Sequence, residues 1–126
     1  TDKVVVNLQP DGDLMFDLGG LWIAAKYEIP MLCLMYNNRA YYNDWAHQIS
    51  VANKRGTDPD RAFIGMDLEG PAPDFAHIAR GMDWWAKGPI MNPADIQPAV
   101  TEALKVVKSG KPALVDIITW RRGEAA

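Results

Sequence analysis

Two polar pairs stand where apolar runs stop. In Pro10-Asp11-Gly12-Asp13 the pair Asp11-Gly12 closes a β-branched run, residues 4–6, that Asn7 to Gln9 carry forward; Asn37-Asn38 closes the apolar run of residues 31–36. Asp11 offers a charged carboxylate and Asn38 an amide oxygen, and the turn Asn38-Arg39-Ala40 can aim a backbone carbonyl at the same point. Oxygen donors with a single carboxylate suit Mg²⁺ or Ca²⁺, not zinc. One carboxylate leaves a divalent ion with net positive charge, so water and an anionic ligand, best a phosphate, are expected to complete its shell. Gly12 would let that anion come close to the backbone, and the helix that follows would offer unpaired N–H groups. Each pair alone is also an ordinary turn former after a strand. Their separation of 27 positions is what joins them, because it is the length of a circuit from one strand end, through a helix, to the next strand end.

The elements needed to hold those residues are legible. Residues 4–9 and 31–36 read as strands, and residues 17–28 between them are long enough for a helix. A strand-helix-strand unit of this kind is parallel, which places Asp11 and Asn38 at the carboxyl ends of two strands, on the edge where open α/β sheets bind ligands.

The same stretch resembles the cofactor-binding motif of thiamine diphosphate-dependent enzymes, in which Gly-Asp-Gly is followed, after a helix and a strand, by Asn-Asn. Leu14-Met15, residues 21–27 and Ile29-Pro30 are similar as well, and the likeness runs over residues 4–119. It points to the C-terminal, diphosphate-binding domain of the acetolactate synthase and 2-oxo acid decarboxylase group. The resemblance implies thiamine diphosphate and Mg²⁺ as cofactors, with Asp11, Asn38 and the carbonyl of Ala40 as metal ligands. Gly12 and Asp13 would then lie against the diphosphate, Tyr41 and Tyr42 beside it, and Asp44 where some decarboxylases carry an acid near the reacting carbon. It further implies a small 2-oxo acid or related carbonyl substrate, decarboxylation or carboligation as the reaction, and a homodimer or homotetramer. The glutamate that activates the thiamine ring would come from a domain not represented here. The chain is therefore expected to be the C-terminal portion of a longer polypeptide, its fold incomplete at the N-terminus and inactive by itself. Two positions depart from the motif: Pro10 stands where a glycine is usual and Asp13 where serine or threonine is common. They favour the alternative, a non-catalytic binding or assembly domain that keeps the fold without the cofactor.

At 126 residues the chain suits one domain, residues 1–120, with a tail at 121–126. A net charge of −3 gives no electrostatic case for nucleic acid or an anionic membrane, and no apolar run approaches the ~20 residues needed to span a bilayer. The lone Cys33 lies within a predicted buried strand and reads as an inert core thiol, so a cytoplasmic location is expected. There is no G-x-G-x-x-G, Walker loop, C-x-x-C, H-E-x-x-H or G-x-S-x-G, which removes the usual marks of dinucleotide, nucleoside triphosphate, zinc and serine-hydrolase chemistry.

Beyond the asparagine turn, residues 41–54 read as a helix whose aromatic start, with Trp45, either packs the sheet edge or a subunit contact or lines the cofactor and substrate approach. Residues 55–73, rich in Gly, Pro and Asp, read as a long loop with the makings of a lid. A short helix is expected at 74–80 and a strand at 82–86. Residues 92–109 carry strong helix signals: Asn92 to cap, Pro93 at the first position, an apolar face of Ile96, Ala99, Val100, Ala103, Leu104 and Val107, and Gly110 with Pro112 to stop it. Residues 113–119 read as a strand covered on both faces, interrupted by Asp116, which must find a partner or lie at an edge. The expected fold is α/β, a doubly wound, mostly parallel sheet of at least four strands with helices on both faces.

Overall fold

The computed structural model describes residues 3–120. The elements run β1 (Val5–Pro10), α1 (Asp11–Phe16), α2 (Gly19–Lys26), β2 (Met31–Asn37), α3 (Tyr42–Arg55), α4 (Phe75–Gly81), β3 (Trp85–Ile90), a 3₁₀ turn (Pro93–Asp95), α5 (Ile96–Lys108) and β4 (Ala113–Ile118). The four strands form one parallel sheet in the order β1-β2-β4-β3. This is the expected α/β arrangement. The polar pairs fall as the strand-helix-strand circuit requires: Pro10 is in register with Tyr36, so Asp11 and Asn38 leave the same edge of neighbouring strands.

Side chains alternate across a strand, and the two faces build two cores. On one, Leu14 of α1, Leu21 and Ala24 of α2, and Phe75 and Ala79 of α4 close over Cys33, Met35 and Leu114. Trp84 joins this cluster and donates its indole N–H to the carbonyl of Leu21 at 2.6 Å, tying α2 to the approach to β3. On the other face, Ala99, Ala103 and Val107 of α5 are buried against Leu32, Ala113 and Val115, with Ile96, Val100 and Leu104 packed around them. All six residues of the expected apolar face thus meet the sheet. Asn92 accepts the N–H of Ala94 at 3.1 Å and caps the 3₁₀ turn that leads into α5.

Two elements differ from expectation. No single helix spans 17–28: one turn and a half of helix begins directly at Asp11, breaks at Asp17, where φ is −145°, and resumes at Gly19. The strand expected at 82–86 is Trp85–Ile90 instead, because Met82 still terminates α4 and Asp83 turns the chain with φ 65°. Pro89, which has no N–H for the ladder, is tolerated because β3 is an edge strand whose pairing with β4 slips between Lys87 and Ile90. At Gly88 the slip brings β4 so close that a β-carbon would lie 2.6 Å from Cβ of Asp116 and 2.7 Å from its carbonyl oxygen. Only glycine fits there. The residues 121–126 read as a tail lie outside the described residues.

Candidate functional site

β1 passes into α1 without a loop, so Asp11 is the first helical residue and is almost fully enclosed, 1% exposed. Burial raises its pKa above the usual carboxylate value, while backbone N–H groups of Gly12, Asp11 itself, Ala40 and Arg39 partly offset that effect. The N–H of Ala40 reaches Asp11 Oδ2 at 3.2 Å and Asn38 Oδ1 at 3.0 Å. One donor therefore joins the carboxylate and the amide oxygen that the sequence separates by 27 positions.

The turn that delivers Ala40 is held from three sides. Asn37, itself buried, accepts the N–H of Arg39 at 3.0 Å, and Arg39 takes a left-handed φ of 56°, uncommon for a residue with a side chain. From the loop at 55–73, Met66 accepts the N–H of Tyr41 at 2.8 Å and Leu68 donates to the carbonyl of Arg39 at 2.9 Å, making an isolated antiparallel bridge between Ala40 and Asp67. Successive peptide groups in an extended segment point to opposite sides. With Arg39 C=O and Tyr41 N–H turned to the loop, the carbonyl of Ala40 shares the side of its N–H, the side of Asp11. The long loop thus straps this turn through residues 66–68.

A cleft of about 300 Å³ opens over these groups, and its lining includes Asp11, Gly12, Asp13, Asn38 and Ala40. Tyr41, Tyr42 and Asp44 line it too, so every candidate site residue falls on one concavity. Asp13 and Asp44 are exposed there. Tyr36 and Asn43, which carried no expectation, complete the wall. The aromatics are also packed: Tyr41 on Phe16 with ring centroids 5.3 Å apart, and Trp45, in contact with Tyr42, on Phe63 of the long loop at 6.4 Å.

Gly12 has a further use. A β-carbon there would lie 2.6 Å and 2.8 Å from Cδ1 and Cε1 of Tyr41, so its bareness first admits the tyrosine ring. Gly12→Ala is accordingly expected to destabilise the protein by roughly 1–3 kcal/mol through overpacking, although alanine is the better helix former by about 1 kcal/mol. Urea titration checks it; a stabilised variant would show that the ring moves aside freely.

The site also rests on a pair that sequence reasoning did not assemble. Asp116 lies in β4, between β2 and β3, at 1% exposure, and its Oδ1 accepts the amide of Asn37 at 3.1 Å. Oδ2 has no hydrogen-bond partner among the described residues. Burial pushes the carboxyl from 3.8 up to about 6, with Asn37 opposing and the charges of Asp74 and Asp11 adding to the rise. A carboxyl raised in the folded state favours folding while protonated: that contribution is complete below about pH 4 and is lost as pH climbs to about 6. Its size is roughly 3 kcal/mol. In metal-free protein, the stability difference between wild type and Asp116→Asn is expected to shift by that amount between pH 4 and pH 7 in urea titrations. A difference that does not vary with pH would rule the shift out.

Other polar side chains are placed more plainly. Cys33 is buried in the core as expected, its thiol pushed up to about 12 by desolvation and by Asp116. His47 and His77 are exposed on α3 and α4. Among the described residues no three His, Cys, Asp or Glu side chains converge on a metal position. No helix among them is long and apolar enough to cross a membrane.

The family model for the C-terminal TPP binding domain of thiamine pyrophosphate enzymes matches residues 1–117; thiamine pyrophosphate (TPP) and thiamine diphosphate are one compound. A protein of Mycobacterium tuberculosis H37Rv with the provisional name acetolactate synthase large subunit IlvX is 33% identical over 85 residues, 64% of this chain and 16% of its own length. Sulfoacetaldehyde acetyltransferase of Alcaligenes xylosoxydans xylosoxydans is 24% identical over 122 residues, 95% of this chain and 18% of its own. The structure of the thiamine diphosphate-dependent 4-hydroxybenzoylformate decarboxylase of Rhodococcus jostii RHA1 superposes with a TM-score of 0.75 at 26% identity, over 98% of this chain and 21% of that one. The chain thus spans about a fifth or less of the length of each relative.

Proposed function

The chain belongs to the thiamine pyrophosphate enzymes, as their C-terminal TPP-binding domain, and on that premise we propose that it binds the diphosphate of thiamine diphosphate through a Mg²⁺ ion held by Asp11, Asn38 and the carbonyl of Ala40. What supports this reading is the single N–H of Ala40 that spans Asp11 Oδ2 and Asn38 Oδ1 at one edge of adjacent strands. The donor set fits. It consists of hard oxygens with one carboxylate, which leaves the cation charge to bind an anion. The buried Asp11 lacks a cationic side-chain partner among the groups that shift its pKa, and a divalent ion would supply the missing counter-charge.

When bound, the cofactor supplies the nucleophile and the electron sink for breaking or making a bond to a carbonyl carbon. This chain's residues do the holding. Asp11, Asn38 and Ala40 anchor the metal; Tyr41 and Tyr42 wall the diphosphate cleft, with Gly12 and Asp13 on its floor; Asp44, on the first turn of α3, is the candidate acid nearest the substrate approach. The proposed reaction is decarboxylation or carboligation of a 2-oxo acid or related carbonyl compound, in a cytoplasmic homodimer or homotetramer whose remaining domains supply the activating glutamate. The relatives named for acetolactate synthesis, acetyl transfer and 4-hydroxybenzoylformate decarboxylation support that chemical class.

Pro10 and Asp13 favour a second reading, a domain that keeps the fold without the cofactor. Pro10 enters α1 with no N–H to give a phosphate, and the exposed Asp13 adds a negative charge to the cleft. Calorimetric titration of the full-length protein with thiamine diphosphate separates the two. Saturable binding that needs Mg²⁺ is the expected result; no saturable binding with Mg²⁺ present would favour the second reading.

A further inference from the structure

Asp116 is a buried acid that does not itself line the cleft. β4 is covered on both faces, and its residues 113–115 are apolar and buried. A carboxylate in such a strand is costly unless its oxygens are well satisfied, and here one oxygen accepts a single amide while the other has no hydrogen-bond partner among the described residues. Stability does not account for it.

What the acid does hold is Asn37. The register pairs Met35 with Asp116 and Asn37 with Ile118, so Asp116 and Asn37 are diagonal neighbours on one face of the sheet. Asn37 is 2% exposed and uses both ends of its planar amide: Nδ2 donates to Asp116 at 3.1 Å, and Oδ1 accepts the N–H of Arg39 at 3.0 Å. An acceptor at Asp116 decides which end of that amide is the nitrogen, and so turns the oxygen toward Arg39. Holding that N–H keeps Arg39 at φ 56°, and the next N–H, that of Ala40, then meets Asn38 Oδ1 and Asp11 Oδ2.

We propose that Asp116, acting through Asn37, is a positioning residue that sets the turn Asn38-Arg39-Ala40 against Asp11. The inference deepens the metal-and-diphosphate reading above and rests on it for its consequence, but not for its geometry. The chain of contacts runs from the sheet interior to the cleft in three hydrogen bonds. Its members come from β4, β2 and the turn, which explains why a lone acid sits in an otherwise apolar strand.

The test uses three variants of the full-length protein. Asp116→Leu removes the acceptor and keeps an apolar side chain of similar length; Asn37→Ala breaks the same chain from the other end; Asp116→Asn keeps an acceptor oxygen and drops only the charge. In crystal structures without cofactor, Asp116→Leu and Asn37→Ala are expected to separate Ala40 N from Asp11 Oδ2 beyond hydrogen-bonding range, and Asp116→Asn to preserve the contact. The Mg²⁺ concentration that half-saturates thiamine diphosphate binding is expected to rise about 10- to 100-fold in the first two, the range for residues that orient metal ligands, and to stay near wild type in the third. A purely structural role would lower thermal stability without this rescue and without moving the turn. An unmoved turn in Asp116→Leu and Asn37→Ala, or an Asp116→Asn variant as impaired as Asp116→Leu, overturns the proposal. If the turn moves as described while the wild type binds no thiamine diphosphate, the positioning role stands and the cofactor reading falls.

Discussion

Replacing Asp11 with asparagine is expected to weaken Mg²⁺-dependent binding of thiamine diphosphate by 2–5 kcal/mol, roughly 30- to several thousand-fold, the usual effect of removing one partner of a buried charge pair. Folding should respond differently. The asparagine keeps an oxygen to accept the N–H of Ala40, which Asp11 Oδ2 accepts at 3.2 Å, and it removes a charge that burial already disfavours. Because burial raises the carboxyl's pKa, the ionised acid weakens the metal-free fold, and that penalty grows as pH rises above the ordinary carboxylate value. At pH 7 the metal-free Asp11→Asn protein is thus expected to be at least as stable as wild type. Lost binding with unreduced stability is the signature of a residue kept for a ligand. Calorimetry and urea titration on the same preparations read both quantities, and a variant that loses stability while retaining affinity would assign Asp11 to the fold instead.

The second large effect concerns the core beneath the site. Phe75 opens α4 at 1% exposure and fills the space among Met35, Leu114 and the helices α1, α2 and α4. Phe75→Ala should cost 3–5 kcal/mol from lost transfer energy and the cavity left behind, a large share of the 5–15 kcal/mol that holds a typical domain together. The effect should also reach the cleft. Met35 is the register partner of Asp116, and both lie on the face that Phe75 covers. A fall in unfolding free energy of less than about 1 kcal/mol would mean that the cluster closes over the gap, against the close packing expected of a protein core.

How much of this is legible in the sequence depends on how local the cause is. The face of α5 from Ile96 to Val107 follows from a 3.6-residue period, and Asn92 with Pro93 marks its start; both causes lie within a few residues. The parallel pairing of β1 with β2, and with it the common edge for Asp11 and Asn38, follows from the intervening helical segment and the rule for such crossovers. The break at Asp17 was not legible, because residues 17–28 read equally well as one helix and the strand leads into α1 without the turn that Pro10-Asp11-Gly12-Asp13 suggests. Nor was the late start of β3, which depends on the turn at Asp83. At the site, the partner of Asp116 was hidden by register: its hydrogen bond to Asn37 spans 79 positions, and only the alignment of β2 with β4 brings them together. The bridge from Ala40 to Asp67 was hidden for the same reason. The acid alone in an apolar strand was nevertheless a usable signal, since burial without a partner is too costly to be incidental.

The most direct measurement is a crystal structure of the full-length protein with thiamine diphosphate and Mn²⁺ in place of Mg²⁺, the ion located by its anomalous signal. The account predicts one peak at the carboxyl edge of β1 and β2, bound to a carboxylate oxygen of Asp11, Oδ1 of Asn38 and the carbonyl oxygen of Ala40 at distances of about 2.0–2.2 Å, with the diphosphate completing its shell. A cofactor bound with its metal elsewhere, or an ion that leaves Asp11 and Asn38 uncoordinated, would contradict it.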